Sequence, residues 1–264
     1  MKLLVVLTIA GSDSGGGAGI QADLKTFAAL GVHGTSALTA ITAQNTLGVV
    51  DIMELPPALV TAQIEAVMLD IGASAAKTGM LSSAEIIEVV ANAITRFEIT
   101  NLVVDPVMVA KGGARLLRDD AVDALRRHLL PLAAVVTPNL PEAEVLLARR
   151  IRTHDERRQA ARDLVALGAR AAVVKGGHAD EHQAIDHFFD GTELVELQSP
   201  RIATANTHGS GCVFSAAIAA DLAKGSDSLA AVLLAKEFIT GAIERSLEVG
   251  RGHGPVNPMF RLTG

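Results

Sequence analysis

Short apolar runs alternate along this chain with longer segments in which apolar residues recur at helical spacing. Within each run the apolar residues are nearly continuous, which is typical of parallel strands that are covered on both faces. The runs occupy residues 3–10, 75–78, 102–105, 133–137 and 171–175. A repeated strand-helix order predicts an α/β protein in which a mostly parallel central sheet lies between two layers of helices.

Helical periodicity marks the segments between these runs. Helices are predicted from the apolar residues at 60, 64, 67 and 68, at 87, 90 and 94, at 122, 125 and 129, and at 161, 164 and 165. Ser82 with Glu85, and Thr153 with Glu156, have the spacing of a capping box, which would begin the second and the fourth of these helices. Residues 225–250 are predicted to be mostly helical.

Two places depart from the strand-helix order. Residues 185–189 and 192–197 flank Asp190-Gly191, an arrangement that is typical of a β-hairpin. Residues 32–42 and 49–53 resemble short strands ahead of the first long helix. These segments are expected to form a small edge hairpin or a lid beside the main sheet.

The composition is that of an ordinary globular protein, and without a linker or a repeat we expect one domain over residues 1–264. A net charge of −6 argues against a nucleic-acid partner, which needs basic patches. No apolar run approaches the roughly 20 residues of a membrane span. Residues 3–10 could belong to a signal peptide, but a buried first strand ahead of a glycine loop is favoured, which predicts a cytoplasmic protein.

Two phosphate-binding motifs are matched only in part. Residues 17–22 fit the glycine pattern of a dinucleotide-binding turn, but no acidic residue follows at the distance needed to hold a ribose. Residues 72–78 resemble a P-loop, but Ala76 replaces the second glycine and the segment leads into a strand. A nicotinamide-dependent oxidoreductase and a P-loop enzyme are therefore disfavoured.

Two other clusters allow alternative chemistry. His178, His182 and His187 could bind a metal, although a solvated loop explains them as well because they run from a loop into the hairpin. His208 and Cys212 are four residues apart and could suggest a thiol nucleophile with its base. Such pairs usually come from separate segments, and so this reading is disfavoured.

A glycine-rich segment, residues 207–212, precedes an alanine-rich helical stretch. Glycines before a helix allow close backbone approach, and the unpaired N–H groups of the first turn bind anions. Phosphate would fit there, although an ordinary helix entrance is an equal alternative for this segment alone. Polar residues at the ends of successive strands favour a ligand site: Asp105, Asn139, Glu142 and Lys175. Oxygen ligands beside phosphates are typical of a magnesium site, and Lys175 could neutralise a polyphosphate.

A second polar cluster lies near the N-terminus. It comprises the glycine-rich residues 11–17, Asp23, and Gln44 with Asn45. The amide of Gln44 offers both a donor and an acceptor, which suits a heteroaromatic ring with an amino group beside a ring nitrogen. A buried amide that satisfies loop backbone remains the alternative.

These motifs together resemble the hydroxymethylpyrimidine/phosphomethylpyrimidine kinase family of thiamine biosynthesis, within the ribokinase-like superfamily. The matching stretches run in family order along nearly the whole chain, at residues 10–26, 43–46, 77–81, 104–108, 137–144, 174–178 and 207–212. The first and the last are the most specific. The resemblance implies a three-layer ribokinase-like fold and an ATP- and Mg²⁺-dependent kinase. It would phosphorylate 4-amino-5-hydroxymethyl-2-methylpyrimidine and then the monophosphate.

The resemblance also implies roles for individual residues. The pyrimidine would be bound by Gln44, with Asp23, Gly11, Ala18 and Val107 lining its pocket. The anion hole would comprise Gly209, Gly211 and the amide of Cys212, with Lys175 on the ATP phosphates. Magnesium would be organised by Asp105, Asn139 and Glu142. Homologous kinases often dimerise, which implies a homodimer.

Cys212 stands where many ribokinase-like kinases have an aspartate base. A helix N-terminus lowers the pKa of a thiol, so we expect Cys212 to deprotonate a hydroxyl, though less readily than a carboxylate. The second substrate already has an anionic oxygen and needs little base. Two departures from the family pattern, Ser210 in place of threonine and Pro258-Met259 in the tail, affect minor contacts. A pyridoxal kinase and a non-catalytic pyrimidine-sensing domain remain alternatives.

Overall fold

The computed structural model describes residues 3–109, 113, 116–177 and 183–262. Its main sheet has eight strands, in the order β10-β9-β8-β7-β6-β5-β1-β2. The strands are β1 (Val5–Ala10), β2 (His33–Leu38), β5 (Ala75–Thr78), β6 (Leu102–Val104), β7 (Val135–Val136), β8 (Ala172–Val174), β9 (Gln183–Phe189) and β10 (Leu194–Pro200). Within this sheet the neighbouring strands β8, β7, β6, β5, β1 and β2 all pair in parallel, whereas β8-β9 and β9-β10 are antiparallel.

Helices cover both faces of this sheet. They are α1 (Gly19–Ala29), α2 (Pro57–Asp70), α3 (Ala84–Arg96), α4 (Asp119–Ala124), α5 (Leu140–Leu147), α6 (His154–Ala166), α7 (Ser210–Ala223) and α8 (Ser228–Glu244). Adjacent strand residues point to opposite cores: Leu102 and Val104 pack with α2 to α6, whereas Val103 packs with α1, α7 and α8. The three-layer α/β/α fold is therefore confirmed. The continuous apolar runs are strands that are buried on both faces, as predicted.

A second, two-stranded antiparallel sheet is formed by β3 (Ala40–Asn45) and β4 (Gly48–Glu54). The predicted short strands within residues 32–42 are β2, which joins the main sheet, and the start of β3, which Thr39 separates from β2. The hairpin around Asp190-Gly191 is confirmed, and it extends the edge of the main sheet. The small edge sheet is therefore β3-β4.

Several predicted boundaries were wrong. Ser83, not Ser82, caps α3 by accepting a hydrogen bond from the Ile86 N–H, because Ser82 has a positive φ of 26°. The capping box of Thr153 and Glu156 is confirmed at the start of α6. The last helix, α8, ends at Glu244 rather than near residue 250.

The third predicted helix begins as α4 and continues as a π-helical turn over Leu125–Leu129 and a 3₁₀ turn over Leu130–Leu132. His178 and His182 lie outside the described residues. In the ranges that the structure covers, no helix is both long enough and apolar enough to cross a bilayer.

Candidate active site

The carboxyl ends of the parallel strands meet at one edge of the sheet, where α/β proteins bind their ligands. Gly11 follows β1, Asp105 follows β6, and Lys175 follows β8. Asn139 forms an isolated parallel bridge with Lys175, so that the loops after β7 and β8 run side by side. The strand-end residues that the sequence singled out therefore lie along the same edge.

The N-terminus of α7 packs directly against the glycine-rich loop that follows β1. Gly209 caps the helix with a φ of +76°, and a Cβ at this position would lie 1.8 Å from the carbonyl oxygen of Gly17. A Cβ at Gly17 would in turn lie 2.6 Å from Cδ2 of His208. The two glycine-rich segments, which are nearly 200 residues apart in sequence, thus share one cleft.

Lys175 and Asp105 form an ion pair at the same helix N-terminus, with Nζ and Oδ1 separated by 3.1 Å. Thr137 donates a hydrogen bond to Oδ1 of Asp105 at 3.3 Å, and Ser215 of α7 donates to Oδ2 at 3.2 Å. A Cβ at Gly211 would lie 3.3 Å from Nζ of Lys175. The helix N-terminus, one ammonium group and one buried carboxylate therefore converge within a few ångströms.

Asn139 and Glu142 form a capping box at the start of α5. Oδ1 of Asn139 accepts from the Glu142 N–H at 2.9 Å, and Oε2 of Glu142 accepts from the Asn139 N–H at 2.8 Å. Burial raises the pKa of Glu142 to about 7, an effect to which Asp105 adds and which Lys175 opposes. Two carboxylates here face one ammonium group, so an added cation would be stabilised.

Asp13 organises the loop after β1, a role that the sequence analysis missed. Its Oδ1 accepts from Gly15 N–H at 2.8 Å, and its Oδ2 accepts from the N–H groups of Gly17 and Ala18 at 3.0 and 2.8 Å. Oδ2 also lies 2.8 Å from Nε2 of His208. Burial alone would raise the pKa of Asp13, but the hydrogen bond and charge of His208 and the backbone N–H groups lower it.

Gln44 lies at the end of β3, beside a bulge in the β3-β4 pairing. Its backbone N–H donates to Ser14 Oγ, and its Oε1 accepts from Thr42 Oγ1 at 3.2 Å. Its Nε2 lies 3.4 Å from Nε2 of His208. Gln44 is thus next to the loop after β1 and to the start of α7, and His208 faces Asp13 and Gln44.

The remaining residues of the predicted pyrimidine pocket differ in exposure. Ala18 occupies the N-cap position of α1 without a side-chain cap, and a Cβ at Gly11 would lie 3.1 Å from Sδ of Met80. Val107 is half-buried in the loop after β6. Asp23 is fully buried: its carboxylate accepts from Thr8 Oγ1 at 2.6 Å and pairs with Lys77 Nζ at 2.9 Å.

Lys77 is a buried cation to which the sequence motifs gave no role. It is 0% exposed on β5. Burial alone would lower the pKa of Lys77, but the charge of Asp23, with smaller contributions from Cys212 and Asp105, raises it. Lys77 therefore stays charged and acts electrostatically on the carboxylates and the thiol at the sheet edge.

Cys212 lies half-buried in the first turn of α7. Burial raises the pKa of its thiol to about 11; Lys77 and a backbone hydrogen bond from Gly19 oppose this effect, and the carboxylates of Asp23 and Asp105 add to it. The expectation of a lowered pKa was therefore wrong for this structure. The loss of water around the thiol exceeds the effect of the helix N-terminus.

The raised pKa predicts slow alkylation of Cys212 at neutral pH. Because iodoacetamide attacks the thiolate, the rate at pH 8 should be more than about tenfold below that of the unfolded chain. It should increase as the pH rises toward about 11, the pKa of the thiol. Intact mass spectrometry can follow the reaction unambiguously, since the chain has one cysteine. Equal rates for the folded and the urea-unfolded protein at pH 8 would contradict this prediction.

Comparison with known proteins agrees with this arrangement. The family model described as phosphomethylpyrimidine kinase matches residues 13–257. The chain belongs to the phosphomethylpyrimidine kinase family. The hydroxymethylpyrimidine/phosphomethylpyrimidine kinase of Haemophilus influenzae is 54% identical over 96% of this chain and 95% of its own length. The bifunctional thiamine biosynthesis protein of Geobacter sulfurreducens is 53% identical, and the chain covers 51% of it.

Solved structures within and near the phosphomethylpyrimidine kinase family have the same fold. The pyridoxal kinase of Bacillus subtilis, in an ADP complex, has a TM-score of 0.93 and 42% identity over 100% of both chains. The phosphomethylpyrimidine kinase of Clostridium difficile has a TM-score of 0.81 and 42% identity, over 91% of this chain and 99% of its own. The resemblance noted in the sequence is thus confirmed at the level of family and fold.

Proposed function

We propose that this chain is an ATP-dependent kinase that phosphorylates 4-amino-5-hydroxymethyl-2-methylpyrimidine and then its monophosphate, giving the diphosphate for thiamine biosynthesis. The observation that carries the proposal is the contact between Gly209 and Gly17. It sets an anion-binding helix N-terminus against the loop beside Gln44. A phosphoryl group at the start of α7 and a ring at Gln44 would then share the cleft.

The phosphates of ATP would lie against the N–H groups of Gly209, Gly211 and Cys212, with Lys175 neutralising their charge. Solved relatives named as pyridoxal kinases contain ADP or an ATP analogue, which supports this assignment. The ring would hydrogen-bond Gln44, while Gly11, Ala18 and Val107 line the pocket. Asp23 would affect the pocket only indirectly, because its carboxylate already accepts hydrogen bonds from Thr8 and Lys77.

The magnesium assignment rests on the donor set. Burial raises the pKa of Glu142 to about 7; Lys175 opposes this effect, and the nearby carboxylate of Asp105 adds to it. Asn139 would contribute through its cap on Glu142, and water molecules would complete the shell. When bound, Mg²⁺ would offset the negative charge of the phosphates.

In the first step the hydroxymethyl oxygen forms a bond to the γ-phosphorus, and the bond to the leaving ADP breaks. The hydroxyl proton passes to the thiolate form of Cys212, which the charge of Lys77 favours and which burial makes scarce at neutral pH. In the second step the nucleophile is a phosphate oxygen that is already anionic. Positioning and charge neutralisation by Lys175 and the N–H groups of α7 then suffice.

This difference predicts that Cys212→Ala will slow the two steps unequally. The first phosphorylation should fall at least about tenfold more than the second, because general base catalysis contributes roughly 10²–10⁴-fold where it operates. Separate assays with the pyrimidine alcohol and with its monophosphate measure the two rates. Equal loss in both steps would show that Cys212 is not a base specific to the first.

The function itself is tested by ATP consumption with the pyrimidine alcohol, its monophosphate and pyridoxal, assayed side by side. Faster turnover of both pyrimidines than of pyridoxal supports the proposal. Faster turnover of pyridoxal would favour the second candidate, a pyridoxal kinase. That candidate is suggested by the TM-score of 0.93 to the Bacillus subtilis pyridoxal kinase. No turnover of any of the three would favour a non-catalytic sensing domain.

We also propose that the chain forms a homodimer through the β3-β4 sheet. Four large apolar side chains on this sheet and its turn are exposed: Ile41, Leu47, Val50 and Met53. Large exposed apolar areas often mark protein interfaces. Light scattering should give twice the chain mass for the wild type and a lower mass for Val50→Asp. A monomeric wild type at micromolar concentration would overturn the proposal.

A further inference from the structure

A compact cluster of metal-ligand side chains lies outside the active site. It comprises His154, the first residue of α6, His187 of β9, and Glu196 of β10. One potential ligand atom from each residue lies within 4.8 Å of the others. None of these three elements contributes a residue to the active site described above. Because His187 and Glu196 are paired across the two strands, the antiparallel register fixes their relative position.

His187 is a buried imidazole whose polar atoms are not satisfied. It is 0% exposed, and within the described part of the chain neither ring nitrogen has a hydrogen-bond partner. The nearest charged atom is Oε1 of Glu196, 3.4 Å from Nε2. Buried polar atoms nearly always have a partner, and an orphaned pair can indicate an ion or a water that completes the site. A metal ion bound to the cluster would give the buried ring of His187 a partner.

Burial and nearby charged groups act together on His187. Burial lowers the pKa of His187, and His154, Arg157 and Arg158 add to this effect against Glu196. A neutral imidazole is the form that coordinates divalent transition metals.

The carboxylate of Glu196 is oriented by Arg158. Nε and Nη2 of Arg158 lie 2.9 and 2.6 Å from Oε1, and this contact lowers the pKa of Glu196. Asp155 pairs with the same guanidinium at 2.6 Å, which balances part of its charge. A hydrogen-bonded carboxylate with a fixed orientation is typical of metal ligands, whose outer partners position them.

We propose that His154, His187 and Glu196 bind Zn²⁺ or a similar divalent transition metal, with water as a fourth ligand. Two imidazole nitrogens and one carboxylate oxygen are a donor set that zinc accepts, whereas Mg²⁺ prefers oxygen ligands only. Ligand atoms on a tetrahedral zinc ion are about 3.3 Å apart, so small side-chain rotations would close the present cluster. The bound ion would link α6 to both edge strands.

The test is a zinc titration of the untagged 264-residue chain after treatment with a chelator. Competition with a chromophoric chelator should show one high-affinity Zn²⁺ per chain that excess Mg²⁺ does not displace. His154→Ala should weaken the binding at least about tenfold. Zinc should also raise the melting temperature of the wild type but not of His154→Ala, because an ion bound only by the folded state stabilises it.

His33→Ala and His128→Ala serve as controls, since both remove an exposed histidine elsewhere. They should retain the zinc affinity of the wild type. If buried His187 cannot be replaced without loss of folding, Glu196→Gln tests the third ligand and should also weaken zinc binding. Wild-type protein without a stoichiometric zinc site, or unchanged zinc affinity in His154→Ala, would overturn the proposal. Kinase activity is measured separately, so failure of this site would not affect the proposed function.

Discussion

Replacing Gly209 with alanine is expected to reduce kcat/KM at least about 100-fold, the effect of removing one donor from a site that stabilises transition-state charge. The new Cβ would lie 1.8 Å from the carbonyl oxygen of Gly17. Because this neighbour is backbone, the overlap can be relieved only if the start of α7 moves away from the loop after β1. The N–H groups of α7 would then no longer face the transferred phosphoryl group at the correct distance.

Gly31→Ala is the matched control for this variant. Gly31 has a φ of +74°, close to the +76° of Gly209, but a Cβ there would meet no atom of the described residues within 4 Å. Both variants thus carry the strain of a left-handed alanine, about 1–2 kcal/mol, but only Gly209→Ala displaces the helix N-terminus. Steady-state kinetics with the pyrimidine alcohol and thermal unfolding should be measured for both. Similar kcat/KM losses in the two variants would refute the explanation.

The layers of the fold could be predicted from local sequence, whereas the lengths of several strands could not. Each strand has to bury apolar side chains on both faces, and that requirement is visible as a continuous apolar run. A strand ends where its neighbour no longer pairs with it. Strand β7 is limited to Val135–Val136 by its register with Val103 and Val104, although the apolar run is longer. Register depends on residues distant in sequence.

The strand-end residues of the site were predictable for a similar reason. Asp105 and Lys175 follow apolar runs directly, and parallel strands bring such positions to one edge. Asp13 was not predictable in its role, because its partner His208 is 195 residues away. A glycine-rich loop indicates close backbone approach, but it does not identify the side chain that collects the N–H groups.

The pKa of the Cys212 thiol depends more on tertiary packing than on local sequence. A position in the first turn of a helix lowers the pKa of a cysteine, and this effect can be read from sequence. The carboxylates of Asp23 and Asp105 and the burial of Cys212 act in the opposite direction, and both depend on tertiary packing. Burial has the largest effect on this pKa, and the sequence alone does not reveal it.

Lys77→Met is expected to lower the free energy of unfolding by about 3–5 kcal/mol, because it leaves the carboxylate of Asp23 buried without its counter-charge. Both partners of this ion pair are 0% exposed, with Nζ and Oδ2 2.9 Å apart. Thr8 would remain as a single hydrogen-bond donor to Asp23. Methionine fills a similar volume, so the loss should come from the charge rather than from a cavity. Denaturant unfolding followed by circular dichroism measures the change.

Lys224→Met is the matched control, since Lys224 pairs with Asp221 at the same 2.9 Å but its side chain is 35% exposed. Solvent screens such a pair, and its loss should cost no more than about 1 kcal/mol. Asp23→Asn combined with Lys77→Met removes both charges and should recover at least about 1 kcal/mol of the loss caused by Lys77→Met alone. Equal losses of unfolding free energy in Lys77→Met and Lys224→Met would contradict this explanation, as would a double variant that is the least stable of all. In either case the buried charge of Lys77 would not be the source of its contribution to stability. The fold would then depend on the shape of the lysine side chain beneath Gly79.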